Sequence, residues 1–403
     1  MRPLLATIAG LIIFAGSHAQ ADDLVVLART LHTSGSDGII ENAAIVIKDG
    51  KIDRVGVQGE IRLPDGVAVR EAAVVLPGLI DMRTTLGLSG MYNVPADQDQ
   101  DEVTGPTQAQ LRALDSYNPR EPLIDYVRSY GVTTVHATPG DLNLIAGQGS
   151  VFKTAGDSVG EAVLKPVASM VFNLGENPKM TYGARDQAPG TRMASAAMIR
   201  QALYDARHYA DGDDEKVDLA KAALAKVVEG ETPALFTVFR EDDIATALRI
   251  AREFELDLWL NYVTEGYLMR DVLAESSAKI ILGPTTLGPA GLQTYNATYE
   301  NPALLHAAGI PLTFSTGHES YVPKEHILLF ELGIAIANGY PADAAIRAAT
   351  IEAAELLGLD ERIGSIERGK DADLVMFDGD PFEYTSHVLG VVIDGREHRS
   401  DIR

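Results

Sequence analysis

The stretch Val75-Leu76-Pro77-Gly78-Leu79-Ile80-Asp81-Met82-Arg83-Thr84-Thr85 marks the change between two kinds of sequence pattern. Before it lie only short β-branched runs: Leu24-Val25-Val26-Leu27, Ala44-Ile45-Val46-Ile47, Lys51-Ile52-Asp53-Arg54-Val55 and Val67-Ala68-Val69. Gly and Asp turns separate them, and Asp49-Gly50 is a hairpin signal. After it, strand-like runs alternate with helical ones. The strand candidates are 133–137, 168–172, 234–238, 256–260, 279–282 and 311–315, and the helical candidates are 194–210, 218–228, 242–253, 324–338 and 342–357. Strand-only patterning returns at 372–377 and 388–395. This order predicts an α/β chain in which a (β/α) barrel occupies the middle and the two ends build one β domain.

The bulk composition narrows the class. The chain has 403 residues, 46% of them hydrophobic, and a mean hydropathy near zero, as expected of a folded globular protein. Residues 1–21 carry Arg2, an apolar run and Ala19-Gln20-Ala21, the pattern of a cleaved signal peptide. The expectation is an exported protein, periplasmic or secreted, with no membrane span in the mature chain, because the run is too short to anchor it. There is no cysteine, which excludes disulfides, thiolate metal sites and cysteine nucleophiles. A net charge of -23 disfavours nucleic acid and anionic lipid as partners. The insert at 86–120, acidic at Asp97-Gln98-Asp99-Gln100-Asp101-Glu102, follows the first barrel strand, and reads equally well as a lid or as a solvated surface segment.

The opening stretch resembles the first barrel strand of the amidohydrolase superfamily, in which Pro-Gly-Leu-Ile-Asp leads into a His-x-His pair. Further motifs are similar to those of the imidazolonepropionase-like members found in bacterial envelopes. They are Gly131-Val132-Thr133-Thr134-Val135, Pro139-Gly140, 143–149, Gly175-Glu176-Asn177-Pro178-Lys179 and the run 364–374. The resemblance implies a (β/α)8 TIM-like barrel over 76–364 and a small composite β-sandwich from 22–75 and 365–403. It also implies a hydrolase acting on carbon–nitrogen bonds other than peptide bonds, in which a divalent metal activates water and an aspartate takes the proton.

By the same resemblance the metal-ligand positions fall on Arg83 and Thr85 in the first strand, Thr237 in the fifth and Tyr262 in the sixth; the final aspartate falls on Gly317, and the bridging lysine of some relatives near Val171. A guanidinium has no lone pair for a metal and a threonine hydroxyl is a poor replacement for imidazole. Nine histidines are present without one His-x-His pair. No cofactor is expected, family-type zinc included.

The remaining pocket candidates are His136 and His318, each read first as a hydrogen-bonded structural histidine, and Arg240, which with Arg83 places positive charge near the former metal. Arg83 paired with Asp81 is the simpler reading of that arginine. Trp259 is read as core, and Lys153 and Lys179 as surface or supporting residues. Three functions compete. The chain is a catalytically degenerate member acting as the partner or binding subunit of a ligand-complete amidohydrolase, with a homo-oligomer as the plainer association. Alternatively it is an active hydrolase of cyclic amides, acyl amino acids or dipeptides with an altered site. The third is a receptor that captures a small anionic ligand through Arg83.

Overall fold

The computed structural model describes residues 23–212, 216–317 and 328–398; the signal-peptide pattern and His318 lie outside them. In chain order the strands are β1 (Leu24–His32), β2 (Ile39–Lys48), β3 (Lys51–Val57), β4 (Ala68–Pro77), β5 (Leu79–Thr84), β6 (Val132–Ala137), β7 (Ile145–Lys153), β8 (Val163–Asn173), β9 (Ala234–Val238), β10 (Leu258–Tyr262), β11 (Lys279–Leu282), β12 (Leu312–Phe314), β13 (Leu374–Phe377), β14 (Val388–Ile393) and β15 (Arg396–His398). They form two sheets, and Pro77-Gly78 is where the chain leaves the first for the second.

The second sheet runs β12-β11-β10-β9-β8-β7-β6-β5 and curls into a nearly closed barrel. All the expected strands are present, with β10 shifted two residues later than expected. One departs from strict βα alternation: β7 runs antiparallel to both β6 and β8. In the sequence 143–149 stands out as a motif and not as a strand, because Gly147 and Gly149 dilute the apolar pattern. The glycines have a steric cause. Gly147 sits at φ 125°, where a Cβ would lie 2.7 Å from the Leu111 carbonyl oxygen, and a Cβ on Gly149 would lie 2.5 Å from His136 Nε2.

Helices Arg192–Ala210, Leu219–Val228, Glu241–Phe254 and Leu328–Ala337 pack outside the barrel. The first-turn carboxylates of Glu241, Asp242 and Asp243 complement the exposed amides of their helix. The single helix expected over 342–357 is two, Ala342–Ala348 and Ile351–Leu357. At the break Thr350 has φ -133° and ψ -96°, and its hydroxyl lies 2.6 Å from the Ile346 carbonyl and 2.9 Å from Ser34 Oγ, tying the helix pair to the other domain.

The first sheet joins both chain ends in the order β15-β14-β13-β4-β1-β2-β3. Residue 374 pairs with Pro77 and Phe377 with Val74, so the C-terminal strands extend the N-terminal ones in one continuous seven-stranded sheet. Its core includes Val26, Ile45, Ile47, Val75, Leu374 and Val392.

Candidate functional site at the barrel centre

Side chains inside the barrel form layers set by the two-residue period of its strands. Val171, Leu235, Trp259 and Ile281 belong to an apolar cluster with Ile80 and Met82. Two residues further along three of these strands, toward the C-terminal face, come Asn173, Thr237 and Asn261, in register: Asn173 opposite Thr237, and Thr237 opposite Asn261. Apolar gives way to polar in one step.

Arg83 fills the polar layer. It is 0% exposed. Its Nη1 donates to Asn261 Oδ1 at 2.9 Å and to Thr237 Oγ1; Nη2 donates to Asn173 Oδ1 at 3.3 Å and Nε to Thr138 Oγ1 at 3.4 Å. Every acceptor is neutral. Burial lowers the pKa of Arg83, and the more distant charges of Tyr262, Asp141 and Asp101 oppose that shift. The ring of Tyr262 lies 6.0 Å from the guanidinium.

The acceptors are tied onward. Asn173 Nδ2 donates to the carbonyls of Gly140 at 3.1 Å and Asn143 at 2.7 Å. Asn261 Nδ2 donates to Ile281 O at 2.9 Å and Ser315 Oγ at 3.0 Å, and Ser315 Oγ donates to Gly283 O at 3.2 Å. Across the seam between β12 and β5, Asp81 accepts from Thr316 N at 3.2 Å, Thr316 Oγ1 at 2.5 Å and Arg83 N at 3.2 Å. Burial pushes the Asp81 carboxyl up to about 7, against the opposing effect of these hydrogen bonds. Asp81 thus receives the backbone of Arg83; the Asp81–guanidinium pair expected from the sequence does not form.

His136 lies just beneath. Its Nδ1 donates to Met82 O at 3.0 Å and its Nε2 accepts from Ser169 Oγ at 3.1 Å, an arrangement that holds the neutral ring. Burial pushes its pKa down to about 4, and the charge of Arg83 adds to the shift. It is a structural histidine, edge-on to Trp259 at 6.2 Å between ring centroids.

The other candidates separate. Thr85 is buried, and its hydroxyl has no hydrogen-bond partner among the described residues. Arg240 does not join the layer: it precedes helix Glu241–Phe254 and pairs with Asp242 at 3.2 Å, its side chain 34% exposed. Tyr262 also lies at the barrel centre: its φ of 68° breaks the strand alternation, so its ring faces the Arg83 guanidinium while the neighbouring Asn261 supplies the hydrogen-bond acceptor. Gly317 has φ 78°, and a Cβ there would lie 2.3 Å from Pro284 Cδ and 3.0 Å from the Tyr262 hydroxyl, so this backbone has no room for an aspartate.

Of the two readings offered for Lys153, the structure gives the supporting one. It is 2% exposed and holds Asp371 at 2.9 Å, Asp373 at 3.1 Å and Asp394. Burial alone would lower its pKa, but the three carboxylates outweigh burial and raise it. Lys179 is partly exposed on helix Glu176–Gly183.

The acidic insert is fastened to the barrel. Gln108 N and Ile145 N each donate across to the other segment, and Gln148 N donates to Leu111 O at 2.8 Å. Asn143 Nδ2 donates to Glu102 O at 2.7 Å, and Asp101 accepts from Leu142 N at 3.1 Å. It bounds a cleft of about 330 Å³ whose lining includes Leu88, Asp99, Glu102, Leu111 and Pro139.

A nearly closed barrel with its polar layer at the C-terminal ends of the strands, flanked by a sheet from both chain termini, defines a TIM-like barrel protein with an added sheet domain. The chain belongs to the amidohydrolase family. An amidohydrolase from Thermotoga maritima MSB8 is 31% identical and superposes with a TM-score of 0.88, covering 94% of this chain and all of the other. The model of the amidohydrolase family matches residues 298–397. Among curated proteins, the amidohydrolase tasK of Hapsidospora irregularis is 24% identical over 91% of this chain, which spans only 40% of that relative's length. The imidazolonepropionase of Brucella anthropi is 25% identical over 85% of this chain and 88% of its own. Molinate hydrolase, at 16% identity and a TM-score of 0.61, shares the fold.

The divalent metal implied by the family does not fit these residues. At the centre stands a guanidinium, which repels a cation and already takes the side-chain oxygens of Asn173, Thr237 and Asn261 as acceptors. Among the described residues no three His, Cys, Asp or Glu side chains converge as a metal site. Sequence reasoning found Arg83 and Thr237 but missed Asn173 and Asn261. Their signal was an amide two residues after an inward apolar residue near the end of a strand.

Proposed function

We propose that this amidohydrolase-family chain has left metal-dependent hydrolysis and serves in the cell envelope as a binding or partner subunit for a ligand-complete amidohydrolase. The observation that carries the reading is the guanidinium of Arg83 at the barrel centre, bonded only to neutral oxygens. The family reaction needs a Lewis acid there to make hydroxide near neutral pH. Arginine stays protonated and can supply neither a coordination site nor a base.

The framework around the site is kept, so the mouth still presents shaped surface, and homologous barrels associate readily through equivalent faces. Protein purified in the presence of Zn²⁺ is expected to retain well below one equivalent after dialysis and to show no amidase or dipeptidase activity. Co-expressed with a ligand-complete relative, it is expected to co-elute on size exclusion and to alter that relative's rate. Separate elution with an unchanged rate would sink the partnership.

The second reading is an active hydrolase of a cyclic amide, acyl amino acid or dipeptide. What favours it is the 31% identity to an amidohydrolase across nearly the whole chain. Stoichiometric zinc, or hydrolysis abolished by a chelator, would establish it in place of the first.

A further inference from the structure

We infer that the barrel interior is a guanidinium receptor, filled in the native protein by the chain's own Arg83. The receptor consists of Thr138, Asn173, Thr237 and Asn261. Two of these are amides whose Oδ1 faces Arg83 while Nδ2 is spent on carbonyl or hydroxyl oxygens behind it. The amide orientations are therefore fixed, and both oxygens are presented inward. Thr237 accepts from Nη1 and passes its own proton to Asn173 Oδ1, which fixes the hydroxyl in the same sense. The inward oxygens match a planar fork of N–H donors, a shape that neither an ammonium nor a spherical metal ion reproduces.

The receptor also does mechanical work. No backbone ladder joins β12 to β5 among the described residues. Side chains close that gap instead. Arg83 reaches β8, β9, β10 and the residue following β6; Asn261 passes the connection to Ile281 on β11 and to Ser315 after β12; Thr316 returns it to Asp81 on β5. The metal implied by the resemblance would draw ligands from several strands onto one ion. Here one guanidinium is the cation on which they converge, without any ion from solution. The consequence is a fold indifferent to chelators and dependent on the fork of Arg83.

The experiment measures thermal melting of the full chain as expressed, for wild type, Arg83→Ala and Arg83→Lys, each with millimolar methylguanidinium, methylammonium, Zn²⁺ or EDTA. The inference expects wild type to be unmoved by EDTA and Arg83→Ala to melt several degrees lower. Methylguanidinium is expected to raise the melting temperature of Arg83→Ala saturably and to leave wild type unchanged, with methylammonium and Zn²⁺ without effect. If Arg83→Ala is recovered only unfolded, refolding it with methylguanidinium gives the same reading. Arg83→Lys keeps the charge and loses the fork, so it is expected to fall below wild type; equal melting of the two would overturn the inference. So would rescue of Arg83→Ala by Zn²⁺ or methylammonium as readily as by methylguanidinium, or no rescue at all. A failed search for a partner leaves every one of these outcomes readable, since none depends on partnership.

Discussion

Among the described residues two cations, Arg83 and Lys153, are buried, and they are accommodated in opposite ways. Arg83, inside the barrel, donates its hydrogen bonds only to amides and hydroxyls. Lys153, on β7 where the barrel meets the sheet domain, meets three carboxylates from the C-terminal return, Asp371, Asp373 and Asp394. Lys51 and Arg362 also bind Asp371, so three cations face three anions. A planar, weakly hydrated guanidinium can spread its charge over several neutral acceptors, whereas a compact ammonium needs anions to offset its desolvation. The contrast also assigns roles: the junction holds two domains by charge, and the barrel centre holds strands by shape.

The largest expected effect tests that contrast directly. Lys153→Met leaves Asp373, 2% exposed, without its cation, while Asp371 keeps Lys51 and Arg362. Removing one partner of a buried pair costs about 3–5 kcal/mol. Arg83→Met removes a charge that has no carboxylate hydrogen-bonded to it and leaves only neutral acceptors, some of which can bond one another, so its cost is about 1–3 kcal/mol. Chemical denaturation of both variants checks the order. Arg83→Met as the more damaging change would reverse the comparison.

Next in size is a hidden pH dependence beside Arg83. The folded pKa of His136 lies at about 4 against a usual 6.5, so the unfolded chain binds this proton first; stability is full above 6.5 and is lost as pH falls toward 4. The folded pKa of Asp81 lies at about 7 against a usual 3.8, so the folded chain holds a proton that the unfolded chain lacks, and stability is gained as pH falls from 7 toward 3.8. Between pH 4 and 6.5 the two slopes oppose one another, and the pair contributes little. Asp81→Asn, which can keep the bonds to Thr316 and Arg83 N, is expected to expose the histidine and lose on the order of 3 kcal/mol on acidification across that window. His136→Gln is expected to slope the other way. Denaturant midpoints at a series of pH values read both, and parallel profiles for the two variants would refute the opposition.

How far the sequence disclosed this molecule follows from what each signal measures. Strand runs and helix periodicity are local, so the barrel strands other than β7 and the two-ended sheet domain could be read directly. β7 could not, because the need for glycine at 147 comes from the Leu111 carbonyl of a distant segment. Arg83 was legible as a misfit in a metal motif, but its acceptors were not. Asn261 was hidden because strict strand alternation would turn either it or Tyr262 outward, whereas the positive φ of Tyr262 breaks that alternation and lets both reach the Arg83 guanidinium. The sequence leaves Lys153 open between a surface and a supporting residue, because a lone lysine carries no sign of partners more than 200 residues ahead.

The smallest effect is the finest test of the junction. Asp394 contacts Lys153 as Asp371 and Asp373 do, yet its side chain is 52% exposed against 2% for each of those. Water already solvates its charge in the folded state, so its attraction to Lys153 is screened, and such pairs contribute about 0–1 kcal/mol. Asp394→Asn also leaves its backbone N–H donating to Asp373 Oδ1 at 2.9 Å, so the turn that carries it is kept. The expected cost is below about 1 kcal/mol, and part of it should disappear in 1 M salt, where screening is short-ranged. Asp373→Asn, at the dry end of the same cluster, should cost more and respond less to salt. If the two substitutions are equally costly with the same salt response, then burial does not grade the contacts of Lys153, and the junction is a single cooperative charge cluster.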